Sequence, residues 1–288
     1  MDISRKRQKM IEISIEQGNC TRCGRCVKVC PSGLFLAEKG RVPRVERPQN
    51  CIGCGHCVDV CQGGCIRHNS FPESKIHEVK RELLPTPRQL MELIHARRSN
   101  RSLTRDAVPQ EALDDILEAA RYAPTAENTR GVKLTVIRDA EALKNLEDSV
   151  MRFFIKLAGV LMSRPVAPIT RRVIPDLYKE GLELKRFERR WLEGEQPCLC
   201  NATTLVCFSA PKGYNFAMHD CNLAYQNSSL MAEAHGISQI YMGLITVALK
   251  MKGRKSAQKL LGIPKGHRLC ALMGLGVPAF HYERYTER

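Results

Sequence analysis

The stretch CTRCGRCVKVCP, residues 20–31, returns almost unchanged as CIGCGHCVDVC at residues 51–61. Each run spaces four cysteines as C-x2-C-x2-C-x3-C; Pro31 closes the first, and Gln62 stands where the second would carry a proline. Two-residue gaps let a short loop wrap three thiolates around one corner of a cubane. The fourth cysteine opens or sits on a helical turn and points toward a second cubane. The spacing therefore predicts crossed ligation, with Cys20, Cys23, Cys26 and Cys61 on one [4Fe–4S] cluster and Cys51, Cys54, Cys57 and Cys30 on the other. Structural zinc is the alternative, but zinc knuckles commonly pair two C-x2-C units. Here three cysteines share consecutive two-residue gaps, twice over.

Gly24, Gly53 and Gly55 allow backbone amides to approach the sulfurs, and Val27, Val29, Ile52, Val58 and Val60 would screen the clusters from water. Over about residues 8–70 the block resembles a bacterial-type two-cluster ferredoxin. Cys65, just past the repeat, reads as a small buried hydrophobe.

Working outward, nine of the fourteen cysteines fall between Cys20 and Cys65, in a repeat that suits metal ligation rather than disulfide bonding. A chain of 288 residues exceeds what one core needs. Two domains are expected: residues 1–80 for the cluster block and its linker, 81–288 for the rest. The linker RHNSFPESKIHEVKRELLPTPR, residues 67–88, is polar and holds three prolines. No apolar run is long enough for a membrane span, and the start MDISRKRQKM lacks a signal-peptide core, so the expectation is a soluble, cytoplasmic protein. The net charge of +15 raises the question of nucleic acid. The excess is spread out, six charges in residues 1–80 and nine in 81–288, and a nucleic-acid site would be a localised patch.

The long block is helix-rich. Thr86-Pro87 is a helix start, with Leu90, Leu93 and Ile94 recurring behind it, and a second helix is expected over about 109–122. Further helices are predicted at 140–163, 176–193, 219–236 and 247–261, and strands at 132–138, 204–209 and 269–275. Few strands among many helices argue for an α+β fold, helices packed around one sheet. The charge-dense region 171–196, holding Trp191, reads as a surface helix. Cys198, Cys200, His95 and His219 read as structural.

Arg97, Arg98, Ser99 and Arg101 gather cations and a hydroxyl in one turn, as an anion site requires. Around them, RRSNRSLTRDAVPQEALDDILEAARYAPTAENTR, residues 97–130, resembles the opening of the FMN-dependent nitroreductase family. MAEAHGISQIYMG at 231–243 resembles that family's helix-to-strand passage, and GVPAFHYERYTER at 276–288 its closing segment. The resemblance spans about 86–288 and implies a helix-flanked sheet, a homodimer and bound FMN. It implies that Arg97, Arg98, Ser99 and Arg101 hold the phosphate, with Arg284 and Arg288 closing the site. Pro124, Thr125, Ala126 and Asn128 would lie along the isoalloxazine, with Met242 and Gly243 on its other side. The chain departs from the family at Arg130-Gly131-Val132, where relatives carry Gln-Pro-Trp, and at Met242, where many have an acidic residue.

Together the blocks imply an oxidoreductase in which single electrons enter through clusters, collect on FMN, and leave for a small organic acceptor such as a nitro compound or quinone. Ferredoxin or NAD(P)H are the candidate donors, and no catalytic acid or base is evident. An electron relay to a protein partner is the first alternative, and an Fe–S nucleic-acid-binding protein the second.

Overall fold

The computed structural model describes residues 11–253 and 259–287. The chain divides into two units, one running to Leu84 and including Thr125–Thr129, the other made of Pro85–Pro124 and the remainder from Arg130.

The first unit is small and built as a repeat. Strand β1 (Ile13–Ile15), helix α1 (Arg25–Val29) and the hairpin of β2 (Phe35–Leu36) and β3 (Arg44–Val45) come first. Helix α2 (His56–Asp59) and strand β4 (Ile66–His68) complete it. β1 pairs antiparallel with β4, Ile13 opposite His68 and Ile15 opposite Ile66, so the two ends of the unit close on each other. Leu34, Phe35, Val58 and Ile66 form its core with Cys57, and Cys26, Cys30, Cys51 and Cys61 are among the partly buried residues packed against it. So small a core gains little from burial alone, and such units normally lean on bound metal for stability.

The second unit holds helices α3 (Pro87–Ala96), α4 (Gln110–Arg121), α5 (Ala140–Leu161), α6 (Ala167–Val173), α7 (Pro175–Leu192), α8 (Ala217–Ala234) and α9 (Gly243–Met251). Its four strands, β5 (Lys133–Ile137), β6 (Thr204–Pro211), β7 (Ser238–Tyr241) and β8 (His267–Gly276), lie in the order β5-β6-β8-β7, every pairing antiparallel. The α+β reading is therefore correct.

Period-two alternation explains the layering. On β6, Leu205 and Cys207 face a core that includes Leu146, Val150, Met151 and Phe154 of α5 and Ile245 and Leu249 of α9. Val206, Phe208 and Ala210 face another, with Ile116 of α4 and Cys221, Ala224 and Tyr225 of α8. Both sheet faces are covered, which is why TLVCFSAP is apolar at nearly every position instead of alternating.

Local signals set the helix ends. α3 begins with a full capping box, Thr86 Oγ1 accepting from Gln89 N while Gln89 Oε1 accepts from Thr86 N, and Pro87 fills N1. α5 is capped by Asp139, whose Oδ1 accepts from Ala142 N at 2.7 Å. In the charge-dense region α7 is the helix expected at 176–193, and the short α6 precedes it. Trp191 fixes α7 by donating from Nε1 to Asp148 of α5 at 3.1 Å. The helix expected at 247–261 starts earlier, at Gly243, and stops at Met251, because Gly253 takes φ +89°, the left-handed turn that ends a helix. Residues 254–258 of that expectation lie outside the described residues. Among the described residues no helix is long and apolar enough to cross a membrane.

Candidate functional site

In the first unit the two cysteine repeats fold alike. Gly24 (φ +71°) and Gly55 (φ +82°) precede α1 and α2 in the left-handed region, where a side-chain-bearing residue is strained. The turns bring Cys20, Cys23, Cys26 and Cys61 to the wall of one cavity, beside Cys65. Cys30 groups instead with the second repeat. The Cys57 thiol is pushed up to about 11 by burial first, then by the charges of Cys51 and Cys54 and more weakly of Cys30. Burial likewise raises Cys26 and Cys51, whereas the N–H of Arg25 and the Thr21 side chain hold exposed Cys23 low.

Backbone amides aim at the sulfurs. Gly53 N donates to Cys51 Sγ at 3.3 Å, Leu34 N to Cys30 Sγ at 3.4 Å and Cys65 N to Cys61 Sγ at 3.4 Å. Gathering several thiolates in a low-dielectric pocket is unfavourable unless metal charge and N–H donors offset their repulsion. Among the described residues no three His, Cys, Asp or Glu side chains meet tightly enough to bind a lone ion. The donor set is eight thiols in two groups of four, and it fits thiolate-held clusters.

The short segment Thr125–Thr129 belongs to this unit. Ala126–Asn128 form a 3-10 turn, and Glu127, Asn128 and Arg130 all take positive φ (+53°, +53° and +48°). That backbone costs energy and is held only where surrounding contacts demand it. One such contact is the Asn128 amide, which donates to the carbonyls of Ile52 (3.1 Å) and Gly53 (2.8 Å) in the second cysteine loop. Asn128 was expected along a flavin ring; its NH2 group is engaged on the cysteine loop.

In the second unit the arginine cluster follows α3. Arg98 donates from Nη1 to the carbonyls of His95 and Arg97, capping the helix end, and Arg101 Nη1 lies 3.5 Å from the Ser99 carbonyl. Among the described residues Arg97, Arg98 and Arg101 have no carboxylate partner within ion-pair distance. Burial raises Glu233, and the nearby charges of Arg97, His281 and Arg98 oppose that rise. Three guanidinium groups without a paired carboxylate, beside the Ser99 hydroxyl, form a donor set suited to a phosphate dianion.

The C-terminal tail runs along the same segment. Thr104 N donates to Val277 O and Ala279 N to Ser102 O, each at 2.9 Å, and Tyr285 stacks on His95 with ring centroids 4.0 Å apart. Arg284 is thereby carried toward the end of α3; Arg288 lies outside the described residues. Gly243 opens α9 with free space where a Cβ would stand, a surface that a flat ring could cover. The Met242 side chain is instead in the core, pressed so close to Gly274 that a Cβ there would meet Met242 Cε at 1.9 Å. Its backbone is engaged as well, the N–H donating to Leu272 O at 2.9 Å and the carbonyl accepting from Thr246 N and Oγ1, so Met242 offers a ligand no free group. Pro124, at the foot of α4's exit turn, adds no polar group.

Three residues were missed from sequence. Asn100, buried in the middle of RRSNR, donates to Ser238 Oγ (3.3 Å) and Phe280 O (3.0 Å) and accepts from Ser102 N (2.9 Å), pinning the arginines to β7 and the tail. Gln239 reinforces it, accepting from Tyr225 and donating to Arg98 O at 3.3 Å. His68 approaches a cysteine ligand candidate. The signal for Asn100 was its position between cations, where a neutral amide serves geometry rather than charge.

A sequence-family model for the nitroreductase family matches residues 94–277, well over half of the chain. The chain belongs to the nitroreductase family. A second model, for a 4Fe-4S dicluster domain, matches residues 12–62. This nitroreductase-family chain is 24% identical over 190 residues to a protein of Archaeoglobus fulgidus named as an NADH dehydrogenase/NAD(P)H nitroreductase, covering 66% of the chain and 86% of the relative. It is 30% identical over 213 residues to iodotyrosine deiodinase 1 of Pongo abelii, covering 72% and 68%. The FMN-bound nitroreductase structure from Bacteroides fragilis shares its fold, with a TM-score of 0.51 at 24% identity over 69% of this chain and 95% of that one.

Proposed function

We propose that this nitroreductase-family chain is an FMN-dependent iron–sulfur oxidoreductase that draws electrons in through two [4Fe–4S] clusters and delivers them to an electrophilic organic acceptor, such as a nitro compound or a quinone. The observation that carries the reading is the joining of a 4Fe-4S dicluster domain and a nitroreductase domain in one chain. When bound, the clusters pass electrons singly and the flavin collects them in pairs for release.

The chain's own residues bind and orient. Cys20, Cys23, Cys26 and Cys61 hold one cluster and Cys51, Cys54, Cys57 and Cys30 the other, consistent with their grouping. Arg97, Ser99 and Arg101 take the flavin phosphate, Arg98 stiffens that turn through the helix-end carbonyls, and Arg284 approaches with the tail. Gly243 offers backbone to one ring face. Pro124, Thr125, Ala126 and Asn128 are the residues that a second subunit would lend to the ring in a dimer, as the family resemblance implies.

The working unit is a homodimer, a reading supported by apolar side chains left exposed on α3 (Leu90, Met91, Ile94) and on α8 and α9 (Leu223, Leu244, Val247, Met251). Reduced ferredoxin or NAD(P)H supplies the electrons, NAD(P)H being the donor class in the name of the Archaeoglobus relative.

The test is anaerobic purification with iron, sulfide and flavin assays on one sample, then donor-driven reduction of wild type and Cys23→Ala. About eight irons and one FMN per chain are expected. Cys23→Ala should keep its flavin, lose one cluster and reduce the flavin slowly. Unchanged flavin reduction in the variant would sink the electron path. Rapid reduction with no turnover of nitroaromatics or quinones would make the protein a relay to another protein.

A further inference from the structure

Beyond the eight cysteines, a buried side chain among the described residues touches a candidate cluster ligand with a polar nitrogen. His68, the last residue of β4, is only 5% exposed, and its Nε2 lies 3.5 Å from Cys51 Sγ. The other ring nitrogen fixes the tautomer. Ser70 N donates to His68 Nδ1 at 3.1 Å, so Nδ1 is an acceptor and the ring proton of a neutral imidazole sits on Nε2. A ligated Cys51 is a thiolate with no proton to give. The contact then has one direction, Nε2–H donating to Sγ.

The ring is held in place for this. Antiparallel pairing sets His68 opposite Ile13, a bridge between His68 and Phe71 closes the turn, and the Phe71 ring lies against the imidazole with centroids 4.8 Å apart. The internal repeat sharpens the point. Leu34 and Cys65 occupy matching places, each backbone N–H 3.4 Å from the Sγ four residues earlier. Carried three residues further, the same alignment sets Ala37 in the first half against His68 in the second. An imidazole donor is therefore built into one half of the repeat only. Cys61, on the other cluster, has the Cys65 thiol 3.3 Å away, and S–H is a weaker donor than imidazole N–H.

We propose that His68 is a positioning residue for electron transfer, a tautomer-locked N–H donor to the Cys51 thiolate that raises the reduction potential of the cluster held by Cys51, Cys54, Cys57 and Cys30. Reduction adds one negative charge, shared by the ligand sulfurs. A donor aimed at one of those sulfurs stabilises the reduced cluster more than the oxidised one. The inference rests on the cluster reading above, and iron content separates the two.

The experiment is an anaerobic redox titration followed by EPR on the full chain, comparing wild type, His68→Leu and His68→Gln, each with its iron counted. His68→Leu should keep both clusters. One midpoint should fall by about a tenfold change in its one-electron equilibrium, roughly 59 mV, while the other stays put. His68→Gln, which restores an N–H near the same place, should recover much of the shift. Full iron with both midpoints unchanged in His68→Leu overturns the proposal; a wild-type chain without iron overturns the cluster reading instead. Should His68→Leu not retain its clusters, pulsed EPR settles the matter on a His56→Gln chain carrying 15N-histidine and an intact His68. Coupling of imidazole nitrogen to one reduced cluster is expected, and its absence at both overturns the proposal.

Discussion

The side-chain amide of Asn100 donates to the carbonyl of Phe280 at 3.0 Å, joining segments 180 residues apart. Its carbonyl oxygen accepts from Ser102 N, and Asn100 is itself only 4% exposed. One side chain thus shapes the arginine turn and anchors the tail that carries Arg284. Asn100→Ala removes three hydrogen bonds, one to buried Ser238 and two to the exposed Phe280 and Ser102 backbone, each contributing about 0.5–1.5 kcal/mol. We expect lower thermal stability and weaker flavin retention together, read by melting temperature and by flavin fluorescence after dilution. A variant with native flavin affinity would show that the turn holds itself.

Arg101 separates binding from stability. It is exposed and, among the described residues, its hydrogen bond is to the nearby Ser99 carbonyl, so Arg101→Ala should leave the melting temperature of the flavin-free protein unchanged. Loss of one charge-assisted contact, about 1.5–3 kcal/mol, corresponds to roughly a tenfold to hundredfold weaker FMN affinity. Titration of deflavinated protein with FMN measures it, and equal affinities would remove Arg101 from the phosphate site.

Gly63 probes the first cluster without touching a ligand. A Cβ there would stand 2.6 Å from the backbone oxygen of Asn19, next to Cys20. Backbone cannot swing aside as a side-chain tip can, so Gly63→Ala must displace the Asn19–Cys20 segment, a strain of about 1–3 kcal/mol. Iron per chain should fall toward half, with the EPR signal of the other cluster retained. Full iron content would mean the loop yields more easily than its packing implies.

Glu147 carries a pH signature. Burial raises its carboxyl above the usual range, and the amides of Cys198 and Leu199, donating at 3.0 and 2.9 Å, offset this only in part. The folded chain therefore holds a proton at pH values where the unfolded chain has released it. Stability contributed by this group is complete below the ordinary carboxylate pKa and falls as pH rises through the raised one. Glu147→Gln should flatten that decline and cost about 1 kcal/mol at the acid end, because one amide loses an acceptor. Denaturation curves across the acid range test this; parallel slopes in both proteins would contradict it.

The grouping of the cysteines into two sets was legible because cluster ligation constrains spacing along the chain itself. The arginine turn was legible for a similar reason, four polar groups falling within five residues. Met242 was misjudged in its side chain because its neighbour Gly274 is distant in sequence, and only the packing of β7 on β8 brings them together. The helix expected to begin at residue 247 begins at Gly243, since an apolar run records burial and not the residue where a turn starts.

What the sequence alone determined are the local terms: two repeats with metal-ligand spacing, an α+β alternation of periods, the capping box at Thr86, and a family resemblance carried by short ordered motifs. The tertiary structure alone decided which side chains meet across long separations. Asn128 on the carbonyl of Gly53, Asn100 on Phe280 and His68 on Cys51 are hydrogen bonds between residues far apart in the chain. Such bonds depend on distance and direction in space, and a linear pattern of residue types records neither.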